Sequence, residues 1–298
     1  MTYDELWRRL TPVYDSGEAK AIVRYVLDVR FGMSATDVYC GKVTQLTADE
    51  SNILQEIMRR LEAAEPVQYV LGRADFCGRT FAVGPGVLIP RPETEELCEW
   101  IEADISASPF LLSSSGLPSD SLRQQCSAIL DIGTGSGCIA ITLALDVPGA
   151  AVEAWDVSAA ALYMARRNAS ALGASVCFCR QDALMPPADA ASWDVIVSNP
   201  PYICRREESA MERNVLEHEP HTALFVPDDD PLLFYRAIAG YATVALRPGG
   251  SLYFEINPLF VSDMSEMLRQ AGFGDVTVRR DSFGRERMMR ARVAADTY

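Results

Sequence analysis

Apolar positions over the first seventy or so residues recur at three- and four-residue spacing. Leu6, Trp7, Leu10 and Val13 make one amphipathic stretch, and Ala21, Ile22, Tyr25, Val26 and Val29 make a second that Gly32 stops. A third opens at Thr47-Ala48-Asp49-Glu50, a capping-box pattern, with Ile53, Leu54, Ile57, Met58 and Leu61 lining one face as far as Pro66. Helices this short are marginal alone, so residues 1–73 are expected to pack as a small helical bundle. No polar cluster in this stretch suggests chemistry, and it reads as a structural or partner-docking module.

The pattern changes at Ala74. Phe76, Phe81, Val83, Val87 and Ile89, separated by Gly78, Gly84-Pro85-Gly86 and Pro90, predict a short β-hairpin over 74–92 that joins two domains. Arg91-Pro92-Glu93-Thr94-Glu95 then starts a helix with Leu97, Trp100, Ile101 and Ile105 on one face and Thr94 as its N-cap. The serine-rich stretch from Ser106 to Ser121 has turn composition and is expected to be a mobile surface loop.

From Ala128 strands and helices alternate. Strands are predicted at Ala128–Asp131, Val152–Trp155, Val176–Cys179, Val195–Ser198 and Leu252–Ile256, with helices at Cys138–Leu145, Ala159–Leu172, Leu232–Leu246 and Ser262–Ala271. That alternation implies an α/β fold over 93–298, a parallel sheet covered on both faces. Ligands of such sheets bind beyond the carboxyl ends of the strands.

Composition narrows the classes. With 298 residues, 49% of them hydrophobic, the chain can bury a full core in one large and one smaller domain. A formal net charge of −14 leaves no broad electropositive face, so direct nucleic-acid binding is not expected. The eight cysteines never take CxxC spacing and read as reduced thiols of a cytoplasmic protein. Acidic residues at Asp4 and Glu5, and no apolar run of spanning length, point to neither export nor a membrane.

The sharpest motifs fall at strand ends. The first strand runs into Asp131-Ile132-Gly133-Thr134-Gly135-Ser136-Gly137, whose alternate glycines allow a tight turn and close approach of a ligand to the main chain. The spacing departs from the dinucleotide fingerprint GxGxxG. Asp156 follows the second strand nineteen positions after Gly137, near the separation of about twenty expected of a carboxylate on ribose hydroxyls. Its alternative is an acid favoured by a helix N-terminus before Ser158. Asp182, after the third strand, offers an acceptor for an adenine amine with Ala183 beside the ring, or is a solvated turn residue. Between Asp131 and Ala165 there is no lysine or arginine, which suits a nucleoside lacking phosphates, such as S-adenosylmethionine.

After the fourth strand comes Asn199-Pro200-Pro201-Tyr202. Two prolines fix the backbone and supply no amide hydrogens, so an entering NH2 group meets acceptors: the Asn199 side-chain oxygen and a proline carbonyl, with the Tyr202 ring over one face. A plain proline turn is the alternative. Glu217-His218-Glu219-Pro220-His221 lacks a third metal ligand at sensible spacing and reads as a loop. Arg91 and Glu93 either border the site or serve structure.

Asp131 to Gly137, Asp156 and Asn199-Pro200-Pro201-Tyr202-Ile203 resemble the class I S-adenosylmethionine-dependent methyltransferases acting on planar nitrogens. Val87 to Glu95, Pro66 to Gly72, Glu219-Pro220 with Ala223-Leu224, and Phe254-Glu255-Ile256 are similar to the HemK-type protein-(glutamine-N5) methyltransferases, which modify the Gly-Gly-Gln glutamine of peptide-chain release factors. The resemblance implies a Rossmann-like sheet, an N-terminal substrate-recognition domain, and S-adenosylmethionine held by Asp131, Gly133, Thr134, Gly135, Ser136, Gly137, Asp156, Asp182, Ala183 and Asn199. It also implies that Asn199, Pro200, Pro201 and Tyr202 orient the substrate amide, with no general base assigned. Asn257 stands where that family often has glycine. A ribosomal-protein glutamine methyltransferase, a nucleic-acid amino-methyltransferase and a dinucleotide-dependent oxidoreductase remain as alternatives.

Overall fold

Capping chemistry fixes the ends of the amino-terminal helices. In the computed structural model, which describes residues 1–107, 127–188 and 190–294, reciprocal Thr2–Glu5 and Thr47–Glu50 hydrogen bonds start helices Tyr3–Leu10 and Ala48–Glu62. Asp15 caps helix Ser16–Phe31 through the amides of Gly17 and Glu18, and Gly32 closes it. Two short helices, Ala35–Tyr39 and Val67–Leu71, complete the set. Leu6, Leu10, Val23, Val26, Leu27, Met58 and Leu61 are fully buried at its centre, each adding roughly 1.5–3 kcal/mol of burial. The third predicted helix ends at Glu62 rather than at Pro66, and Ile53, expected on its inner face, is 37% exposed.

The chain divides into two compact units: 1–74 with 83–85 and 210–219, and 75–82 with 86–209 and 220–298. Strands Arg73–Phe76 and Arg79–Ala82 form a two-stranded sheet shorter than the predicted hairpin. Val87 and Ile89 lie beyond it in irregular, buried chain.

The larger unit holds a seven-stranded sheet: β1 (Ala128–Ile132), β2 (Ala151–Asp156), β3 (Val176–Arg180), β4 (Trp193–Ser198), β5 (Leu246–Glu255), β6 (Val276–Arg280) and β7 (Glu286–Arg292). Their order is β6-β7-β5-β4-β1-β2-β3. Alternation sends Ile129, Val152, Val195 and Tyr253 to one face, against helices Pro92–Ala107 and Cys138–Asp146. Leu130, Ile196, Leu252 and Phe254 go to the other, against helices Leu233–Ala245 and Val261–Gln270. Both faces are covered, so the strands read as nearly continuous apolar runs.

The sheet is not wholly parallel. β7 runs antiparallel to both β5 and β6. β6 and β7 escaped the hydrophobic pattern because arginines crowd them, and those arginines are paired: Arg290 with Asp104 and Asp275, and Arg280 with Glu286. β5 also starts six residues before the predicted Leu252, across Pro248-Gly249-Gly250. Thr94 does not cap the helix after the hairpin; that helix begins at Pro92 and places Thr94 in its first turn, buried. Of the serine-rich stretch, Ser106 and Ala107 end that helix, and the rest lies outside the described residues. His218 and His221 belong to short helices, Arg213–His218 and His221–Leu224, not to a loop.

Candidate active site

The carboxyl ends of β1, β2, β3 and β4 open onto a cavity of about 840 Å³, its open mouth included, within the larger unit. Gly133 and Gly135 form its floor, at φ +80° and +55°, where L side chains are strained. The intervening residues turn inward: Thr134 and Ser136 are buried under the loop. Gly133 and Thr134 both donate to the Trp155 carbonyl at 2.9 Å, which ties the loop to the end of β2.

Asp131 braces this loop from below. It is fully buried, and its Oδ2 accepts from the Thr134 hydroxyl at 2.6 Å and the Ala140 amide at 3.2 Å. Burial pushes its carboxyl up to about 7, against the pull of those two hydrogen bonds. Asp131, Thr134, Ser136 and Gly137 are not among the residues lining the cavity. Gly137 serves packing: a Cβ there would come within 2.8 Å of Ile141 Cδ1 and 3.0 Å of Ala165 Cβ.

Asp156 does line the cavity, half-buried. Its Oδ2 accepts from the Gly135 amide at 2.9 Å and its Oδ1 from the Ser158 amide at 2.8 Å, while burial raises its pKa. Each carboxylate oxygen has a second lone pair, so a diol can still be met. Asp156 thus stands just before helix Ala159–Leu172, which Ser158 caps, and faces the cavity as well. Asp182 and Ala183 line the next strand end, Asp182 Oδ1 also accepting from the Leu184 amide at 2.9 Å.

On the opposite wall stand Ser198, Asn199, Pro200 and Pro201. Ser198 Oγ donates to the Ile132 carbonyl at 2.6 Å, fixing the tip of β4 to β1. Asn199 Nδ2 donates to Glu255 Oε2 at 2.9 Å and approaches Thr94 Oγ1 at 3.4 Å. Tyr202 does not line the cavity; its hydroxyl donates to Glu255 Oε1 at 2.9 Å. Burial, then the Glu255 charge, raise the Tyr202 pKa far enough that the phenol stays a donor. The Tyr202 carbonyl accepts from Asn257 Nδ2 at 3.1 Å, so the asparagine that departs from the family pattern holds the corner's backbone.

In the sequence Glu255 stands out only through the Phe254-Glu255-Ile256 resemblance. It is 2% exposed and also accepts from Thr94 Oγ1 at 2.6 Å. Burial raises its pKa, opposed by the Thr94 and Tyr202 hydrogen bonds and the charge of Arg287, while Glu93 adds to the rise. The signal in sequence was an acid closing an otherwise apolar strand, Ser251-Leu252-Tyr253-Phe254-Glu255. His218 and His221 lie elsewhere: His218 Nε2 is 3.2 Å from the Ala63 carbonyl, and His221 packs edge-on to Phe225.

The lining suits a nucleoside without phosphates. Among the described residues it contains acids at two successive strand ends and no lysine or arginine.

Sequence relatives decide the family. The chain is 46% identical over 283 residues to the release factor glutamine methyltransferase of Bacteroides thetaiotaomicron, covering 95% of each chain. It is 39% identical to that of Flavobacterium psychrophilum, covering 94% of each. The chain belongs to the release factor glutamine methyltransferase family. Profiles of the PrmC N-terminal domain and the methyltransferase small domain match residues 7–72 and 106–221 of this family member. The fold is shared more widely: the hMettl16 catalytic domain superposes with a TM-score of 0.53 at 19% identity, over 79% of this chain and 82% of that one. Release factor glutamine methyltransferases use S-adenosylmethionine, and the cavity just described fits it.

Proposed function

We propose that this enzyme methylates the side-chain amide nitrogen of the glutamine in the Gly-Gly-Gln motif of peptide-chain release factors. The observation that carries the reading is the Asn199 amide, whose NH2 is engaged by Glu255 and Thr94 at the cavity wall. Its oxygen is left to accept. With the Pro200 carbonyl it offers two acceptors to a group bearing two hydrogens on one flat nitrogen. An amide nitrogen is a poor nucleophile because its lone pair is delocalised, so orientation must do much of the work, and good alignment can contribute several kcal/mol.

S-adenosylmethionine, when bound, supplies an electrophilic methyl on a sulfonium. Gly133, Gly135, Asp156, Asp182 and Ala183 hold the nucleoside, and Asp131, Thr134, Ser136 and Gly137 shape the loop that carries it. Asn199 and Pro200 aim the substrate nitrogen, Pro201 stiffens the corner, and Tyr202 braces it from behind through Glu255. No residue is assigned as general base. The proton leaves the methylated amide after transfer.

The helical unit matching the PrmC N-terminal domain serves substrate recognition, with 74–92 as the junction and 93–298 as the catalytic domain. That match supports a release factor over a ribosomal protein. The formal charge of −14 supports a protein over a nucleic-acid substrate. A release-factor substrate supports a cytoplasmic location. Seven free cysteines among the described residues fit a reducing compartment, and no helix among those residues is long and apolar enough to cross a membrane.

The test is incubation with methyl-labelled S-adenosylmethionine and, separately, release factor, ribosomal proteins and duplex DNA. Peptide mapping should place one methyl group on the Gly-Gly-Gln glutamine. Label on ribosomal protein or DNA, with none on release factor, overturns the reading.

A further inference from the structure

The substrate corner carries a buried carboxylate that the proposed reaction does not consume. Glu255 ends β5 one step beyond the Phe254–Ser198 pairing, so it stands beside Asn199 at the tip of the adjacent parallel strand. Three side-chain donors converge on it: Asn199 Nδ2 at 2.9 Å and Thr94 Oγ1 at 2.6 Å on Oε2, and the Tyr202 hydroxyl at 2.9 Å on Oε1.

A primary amide has two ends of nearly equal size and opposite chemistry, and a half-turn about its last bond exchanges them. With the oxygen toward the substrate, Asn199 accepts an NH2 group. With the nitrogen there, donor faces donor. Backbone stiffness cannot make this choice, because the rotation is confined to the side chain.

We propose that Glu255 is the positioning residue that makes it: by accepting from Asn199 Nδ2 it holds the Asn199 oxygen toward the substrate amide. The proposal rests on the reading that Asn199 accepts from that amide. A flipped Asn199 would set Oδ1 against Glu255 Oε2, two acceptors with no hydrogen between them. Turning the carboxylate offers no escape, because both of its oxygens are acceptors and Thr94 and Tyr202 pin them. One acid thus governs both polar side chains of the Asn-Pro-Pro-Tyr motif.

The test reverses the hydrogen-bond polarity. Asn199→Asp alone sets carboxylate against carboxylate, and kcat should fall at least about a hundredfold. Glu255→Gln alone keeps an acceptor available to Asn199, because the Tyr202 hydroxyl can accept from the new NH2, and kcat should stay within about tenfold of wild type. In the double variant the amide introduced at position 255 donates to one oxygen of the carboxylate introduced at position 199, and the other oxygen still accepts from the substrate. The double variant should therefore exceed Asn199→Asp by at least about tenfold, a non-additivity of opposite sign to two independent losses.

A second readout needs no turnover. In protein labelled with 15N-asparagine, the Asn199 Nδ2 hydrogens, assigned by their absence in Asn199→Asp, should be protected from solvent exchange in wild type. In Glu255→Leu they should exchange faster. A double variant at or below the product of the single losses overturns the proposal, as does equal exchange in wild type and Glu255→Leu. If Glu255→Leu does not fold, the polarity swap alone decides. A wild-type enzyme inactive on release factor sinks the functional reading instead, which separates the two failures.

Discussion

At the tip of β4 the cavity wall is a side-chain amide braced from behind by a buried acid, whereas at the tips of β1 and β2 the wall is largely backbone. Asn199 depends on Glu255, fifty-six residues away in sequence, and on Thr94, one hundred and five away. The glycine loop draws on closer partners: Asp131 reaches Thr134 and Ala140, three and nine residues on, while Asp156 reaches Ser158 and, twenty-one residues back, Gly135. Side-chain orientation at one end is set by contacts across fifty residues or more of sequence, and loop shape at the other by contacts within about twenty-two. Substitutions at the two ends should therefore fail differently.

The largest effect is expected at Asn199. Asn199→Ala removes the acceptor proposed to orient the substrate, and methylation should fall by about a thousandfold or more while cofactor affinity in calorimetry stays near wild type. Comparable loss of cofactor binding would show that the two ends are not separable.

Asp131 sharpens the comparison through pH. Its folded pKa of about 7 lies above the ordinary value of 3.8, so the folded state holds a proton that the unfolded state releases. Its contribution is fully present below the ordinary value and is lost as pH rises from about 4 to about 7, with an upper bound near 4 kcal/mol. Thermal melts of Asp131→Asn should lack this decline, seen as a wild-type minus variant Tm difference that becomes more negative as pH rises. A constant difference would place the titration elsewhere.

Gly137→Ala tests whether the third glycine serves packing rather than a ligand. Its Cβ would collide with Ile141 and Ala165 at a φ of +84°, and denaturant unfolding should show a loss of about 3 kcal/mol. Retention of full stability with lost cofactor binding would reverse the assignment. The smallest effect should be at Asp156, where alanine weakens cofactor binding by about thirtyfold, measured by calorimetry, because a charge-assisted hydrogen bond contributes roughly 1.5–3 kcal/mol. Turnover at saturating cofactor should change far less.

Legibility in the sequence follows the same division. Helix Ala159–Leu172 was placed to the residue, because Ser158 and Gly173 mark its ends and its apolar face repeats cleanly. Gly133, Gly135, Asp156 and the Asn-Pro-Pro corner were found because each is a local motif at a strand end. Glu255 and the buried role of Thr94 were not, since neither has meaning until β4 and β5 lie side by side. The arginine-rich strands β6 and β7 were missed for a related reason: the acids paired with Arg290, Asp104 and Asp275, lie outside both strands.

Strand β7 enters the sheet between two strands made before it, pairing with β5 along Ser251 to Glu255. Until Glu286 to Arg292 has left the ribosome, the flank of β5 has no neighbour, and the run Leu252-Tyr253-Phe254 lies along an open edge able to recruit strands from other chains. A nascent chain stalled or cut short of that point is an aggregation hazard, and the acid that steers Asn199 sits at the end of the same unprotected strand. The strand that carries Glu255 is thus sheltered on that side only by one that follows it in sequence.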